Sequence, residues 1–234
     1  YTEEYIDYSI GTIPSQVTVM RAGERLDSND TIHYGDELSI TYELDIGYDL
    51  VRFEIEGATQ QGEIYKVQGN MTITFEQRIQ SFEITIGVDK PEYGRVNATS
   101  VTVDYGTTYT VEDKELKFSD GQTVTVILAD RTEEYSYKFI GWSSESGTIT
   151  GEQTITARLD RETNQYTVTI QADSTGYGTV DVESVTVDYG TTITVQDNVL
   201  TIGEHTITAT PNSDTAQYDN IFLNWTGTED TVTG

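Results

Sequence analysis

The residues able to do chemistry are few. Among 234 residues there are two histidines, His33 and His205, and no cysteine, which excludes thiol nucleophiles, thiolate zinc sites, iron–sulfur clusters and disulfide scaffolds. The stretch Gly141-Trp-Ser143-Ser-Glu-Ser146-Gly147 sets serines between glycines, but it does not fit the G-x-S-x-G turn and brings no base near them. Forty Asp and Glu are present. So many carboxylates make any one pair uninformative about glycoside hydrolysis without a separation to measure. Clusters such as Glu112-Asp113 and Asp45 with Asp49 could hold a hard cation through oxygens, with calcium at a unit junction the candidate, although no D-x-D-x-D-G loop occurs. The expectation is a protein without catalytic residues or cofactor, and not an enzyme.

Charge narrows the partners. Thirteen Lys and Arg against the forty acids give a formal charge of −27, which repels nucleic acid and anionic lipid. No run of about 18 apolar residues could span a bilayer as a helix. The chain opens Tyr-Thr-Glu-Glu without a basic leader and reads as a piece of something longer. Its 35% hydrophobic content and 16 Tyr argue for folding despite the charge.

Repetition is the strongest signal. Ser100-Val-Thr-Val-Asp-Tyr-Gly-Thr-Thr108 recurs without change at Ser184–Thr192, 84 positions on (184 − 100). The match extends from Phe82–Ile86 with Tyr166–Ile170 to Phe139-Ile-Gly-Trp142 with Phe222-Leu-Asn-Trp225. The Trp pair is offset by 83 (225 − 142), which places a one-residue deletion, and hence a loop, where Lys117–Gly121 meets Thr201–Glu204. Fainter matches put His33-Tyr-Gly35 with Asp104-Tyr-Gly106, Phe53 with Phe139, and Asn70–Phe75 with Glu152–Ala157. Neither histidine recurs in the other copies, so both read as solvated. Three units follow, 1–80, 81–164 and 165–234, joined by short polar linkers at 79–81 and 160–165. The last lacks the strand that Thr154–Leu159 supplies in the second.

Apolar residues at every second position, as at Ile84 and Ile86, Val101 and Val103, or Val185 and Val187, are the period of a strand with one buried face. Trp142 and Trp225 read as core anchors. Asn29, Asn70, Asn97 and Asn224 lie in N-x-[ST] sequons; the first three are the glycosylation candidates, Asn224 being too close to Trp225. Residues 2–10, with Thr2, Tyr5, Ile6, Tyr8 and Ile10, match no strand of the other copies and could complete the third unit of a neighbouring molecule, giving a head-to-tail homopolymer.

Tyr166–Ile170, Tyr189-Gly190-Thr-Thr192, Phe139-Ile-Gly-Trp142 and Gly151–Ala157 together resemble divergent internalin-type B-repeats, the Listeria/Bacteroides repeats of bacterial and archaeal cell-surface proteins. Asn224 departs from the pattern in standing for Gly141. The resemblance implies β-grasp-like units containing a helix, whereas Gly106–Trp142 reads as strands with no helical stripe. The fold expected is therefore all-β: three tandem β-sandwich or β-grasp-like domains in an elongated array. The function expected is an extracellular stalk or adhesin segment whose partners are neighbouring copies or other surface proteins. The alternatives are the donor-strand filament and a glycan-binding module stacking sugars on Tyr93 or Tyr177.

Overall fold

The computed structural model describes residues 5–227 and 229–233. Among them there is no helix, so the β-grasp alternative is set aside. The apolar–polar alternation that dominates the chain can bury only one face of a strand, and this sequence buries those faces in three places. The buried side chains fall into three clusters, Ile10–Ile73, Ile84–Leu159 and Ile170–Val232. The accessible surface is 15132 Å². One compact body of 26.1 kDa would expose about 10,500 Å², and three bodies of a third that mass about 14,200 Å². The surface is that of a chain divided among several cores.

The second unit is the most complete. One sheet holds β8 (Ser81–Val88), β10 (Ser100–Asp104), β14 (Tyr135–Trp142) and β16 (Gln153–Thr163) in the order β10-β8-β16-β14. The other holds β9 (Gly94–Val96), β11 (Thr108–Glu112), β12 (Glu115–Phe118), β13 (Thr123–Leu128) and β15 (Ser146–Thr148) in the order β15-β11-β12-β13-β9. Inward residues of both sheets share one core, with Ile84, Ile155 and Leu159 from the first and Leu116, Val124 and Val126 from the second. β16 occupies the slot between β8, to which it is parallel, and β14, to which it is antiparallel.

The recurring Tyr-Gly is a turn used three times. Gly35, Gly106 and Gly190 have φ of 85°, 86° and 80°, a region that a side chain would strain. Each glycine N–H donates to the carbonyl of a buried aliphatic residue: Val67 at 2.8 Å, Ile149 at 2.7 Å and Val232 at 2.8 Å. These bonds align the copies more securely than the letters do. Thr231-Val-Thr233 is the counterpart of Thr148-Ile-Thr150, and His33-Tyr34-Gly35 does stand for Asp104-Tyr105-Gly106.

Unit one keeps this frame with different filling. β1 (Asp7–Ser9) pairs antiparallel with β4 (Thr31–His33), as β8 pairs with β10. Ile10 then bridges Met71 in parallel, as Ile84 meets Gln153. The leading segment is thus the first strand of the repeat, correcting the expectation that it has no counterpart. β5 (Glu37–Tyr42) corresponds to β11, but its outer neighbours, β2 (Val17–Arg21) and β3 (Glu24–Arg25), come from earlier in the chain. β6 (Tyr48–Gln61) and β7 (Ile64–Ile79) form one long hairpin. Phe53 faces Phe75 in β7 just as Trp142 faces Ala157 in β16. Phe53 therefore takes the place of Trp142, not of Phe139, and Phe75, packed with Phe53 and Tyr42, supplies the missing bulk.

In unit three, β17 (Gln165–Thr169) pairs with β19 (Ser184–Asp188), while β18 (Gly178–Val180), β20 (Ile193–Gln196), β21 (Val199–Ile202) and β22 (His205–Pro211) form the second sheet. The deletion falls at the β21–β22 turn, where Gly203-Glu204 replaces the longer β12–β13 turn.

Candidate functional site

Among the described residues no three His, Asp or Glu side chains converge as metal ligands. Three of the four acids singled out as cation holders have other partners. Glu112 meets Lys117 Nζ at 2.5 Å, Asp45 accepts from the amides of Gln16 and Gln77, and Asp49 accepts from Gln80 Nε2 at 2.8 Å. His33 lies between Asp7 and Asp36, while His205 opens β22 on the surface.

One feature remains that could serve a function: how one unit becomes the next. β7 runs to Ile79 and β8 starts at Ser81; β16 runs to Thr163 and β17 starts at Gln165. The linker expected at 160–165 is mostly strand, since Asp160, Arg161, Glu162 and Thr163 pair with β14, and one residue, Asn164, separates the units. Both hinge residues are held from each side. The Gln80 N–H donates to Gly47 O and its carbonyl accepts from Tyr105 N–H, both at 2.8 Å; the Asn164 N–H donates to Glu134 O and its carbonyl accepts from Tyr189 N–H, again both at 2.8 Å.

The side chains add to the clamp. Asn164 is 5% exposed. Its amide donates to the carbonyls of Thr132 at 2.7 Å and Glu133 at 2.8 Å and accepts from Ser136 Oγ at 2.5 Å. Tyr166 Oη also donates to Glu133 O, at 2.8 Å. At the first junction the Tyr105 ring lies so close to Gly47 that a Cβ there would fall 2.2 Å from it. The Tyr105 ring, in the turn of the second unit, thus bears on the unit before it. Gly47, Gln80 and Asn164 carry no motif of their own; only the recurrence of Tyr-Gly in each copy marks their neighbourhood.

The pairing of the first strand differs between the second and third units. In unit two β8 is flanked by both β10 and β16; in unit three only β19 pairs with β17 among the described residues. Trp142 is 7% exposed and lies within its core. Trp225 is only half-buried and packs against the third cluster from outside, so it anchors less than expected.

The remaining sequence candidates are dispersed. Asn29 is exposed in a turn with φ 69°. Asn70 Oδ1 accepts from Ser9 N–H and Asn97 Oδ1 from Thr125 N–H, so both carbonyl ends hold backbone. Tyr8 packs on the first core and Ile10 is fully buried within it; Tyr5 and Ile6 are exposed, and Thr2 lies outside the described residues. Tyr93 is covered by Tyr137, with ring centroids 5.3 Å apart, and flanked by Lys90 and Arg161, which removes it as an open sugar platform. Tyr177, its counterpart, is 71% exposed.

Fold and junctions together define the class: an all-β chain of two-sheet units in which the last strand of one unit leads directly into the first strand of the next. No protein-family model, curated protein or solved structure matches the chain.

Proposed function

We propose that this protein is a non-enzymatic structural segment of the cell surface, an extracellular spacer or adhesin stalk built from repeated β units. The observation that carries the reading is the pair of one-residue junctions at Gln80 and Asn164, each fixed by a backbone bond to the unit before it and another to the unit after it. A flexible tether would need several unbonded polar or glycine residues; these junctions have the opposite character. The charge of −27 suits a stalk that must not collapse onto its neighbours or adhere to polyanions. The resemblance to B-repeats points to the same location, and Asn29 is the sequon best presented for a glycan.

Distance measurement between spin labels on units one and two, and on units two and three, tests the reading. A spacer gives narrow distributions that broaden when Asn164 is replaced by Gly. Distributions as broad as those of a Gly/Ser linker in the unsubstituted chain would refute it.

A further inference from the structure

We infer that unit two bears tension along the chain, with β8 and β16 acting as a lock that a pull loads in shear. The inference deepens the spacer reading and rests on it, since it is a stalk that carries such a load.

Three observations converge on this pair of strands. β8 opens the unit and β16 closes it, yet they are neighbours in one sheet and run parallel, with Gln153 to Ala157 registered on Ile84 to Val88. Strands so arranged put the two ends of the unit at opposite poles: Ser81 lies before the shared stretch and Thr163 beyond it. A pull through the chain therefore acts along both strands in opposite directions. The bonds that cross between them share the load and must fail together, whereas a hairpin pulled from its open end loses them in turn.

The lock also continues past the end of β8. The Asp89 N–H donates to Ala157 O at 3.0 Å, Asp89 Oδ1 accepts from the Leu159 N–H at 2.8 Å, and Lys90 Nζ lies 3.4 Å from Asp160 Oδ1. A carboxylate accepting a backbone N–H makes a stronger bond than two neutral groups do. This one ties the turn after β8 to the part of β16 nearest its exit from the unit.

Sliding is opposed in the core as well. Ile84 and Ile86 from β8 and Ile155, Ala157 and Leu159 from β16 are buried together, so displacement along the strands drags apolar side chains out of close packing. The far sides of the two strands are held by β10 and β14. The bonded one-residue junctions at Gln80 and Asn164 leave no slack to absorb the pull first. Unit one has the same parallel neighbours, but among the described residues their ladder is the single bridge of Ile10 with Met71. The long lock is thus a property of unit two.

The test pulls single molecules of the full 234-residue chain at constant force. The chain has no cysteine, so handles attach to cysteines introduced at exposed sites. Handles at Ser81→Cys and Thr163→Cys load the lock in shear. Handles at Ser81→Cys and Asp104→Cys, which are register partners on β8 and β10, peel the same unit from one end. The expected lifetime at equal force is at least roughly tenfold longer in shear, the equivalent of one or two more hydrogen bonds broken in the same step. Asp89→Ala should shorten the shear lifetime by about tenfold and change the peeling lifetime far less, because peeling starts at Ser81 and the Asp89 bonds lie beyond the other end of β8. Equal lifetimes in the two directions, or a longer one in peeling, would overturn the inference. So would an Asp89→Ala chain that loses lifetime equally in both, since Asp89 would then merely stabilise the fold. The comparison of directions needs no change at Asp89 and decides the matter even where that substitution unfolds the unit. Either failure leaves the interunit distances as they are, and so is separable from failure of the spacer reading.

Discussion

Trp142 and Ala157 stand directly opposite each other on β14 and β16, while Phe53 and Phe75 hold the same two positions in unit one. The pair conserves volume by exchange: a very large ring with a methyl, or two rings of middle size. Ala157→Phe should therefore overpack unit two and cost about 1–3 kcal/mol. Adding Trp142→Phe, which recreates the pair of unit one, should recover part of that loss. Urea unfolding of the two single variants and the double variant gives the coupling, and additive losses would show that the two sites do not share space.

Asn164 is the only buried polar side chain among the described residues. Asn164→Leu keeps its size but leaves the carbonyls of Thr132 and Glu133 without their amide donor. A cost of roughly 1–3 kcal/mol is expected, together with faster amide exchange at Tyr189, whose N–H bridges the units. Calorimetry and hydrogen exchange read the two effects separately.

Asp36 should make unit one sensitive to acid. Burial by itself pushes its carboxyl up, but the His33 N–H, the Arg21 hydrogen bond, and the charges of Arg21 and His33 together hold it below the ordinary value. A group whose folded pKa is depressed contributes stability above its unfolded pKa and loses it as pH falls through the folded one. The wild-type advantage over Asp36→Asn, measured by thermal unfolding, should be complete at neutral pH. It should shrink once pH drops below about 4.

Gly106→Ala places a methyl at φ 86° and should cost about 1 kcal/mol, or roughly 4–8 °C in the melting temperature of a unit this small. Gly35→Ala and Gly190→Ala should cost similar amounts, since each glycine makes the same bond to a buried aliphatic residue. A much smaller loss at any one of them would separate that turn from the other two.

Strand content was legible in the sequence because a period of two needs only local alternation, and the repeat was legible because nine consecutive identities mark Ser100–Thr108 against Ser184–Thr192. The turn at Tyr-Gly, the deletion between β12 and β13, and the burial of Trp142 follow from those two signals. The equivalence of Phe53 with Trp142 does not, because it is set by which residue lies across the sheet, and Phe75 is 22 positions away (75 − 53). Nor does the junction, since the polar run at 160–165 reads as a linker until β14 is seen pairing with it. The clearest case is Phe222–Trp225. It has nearly the same letters as Phe139–Trp142 but a different backbone state, because a strand exists by virtue of its neighbour's hydrogen bonds. Composition and periodicity determined what kind of structure this chain makes; only the tertiary arrangement decided which of its strands have partners.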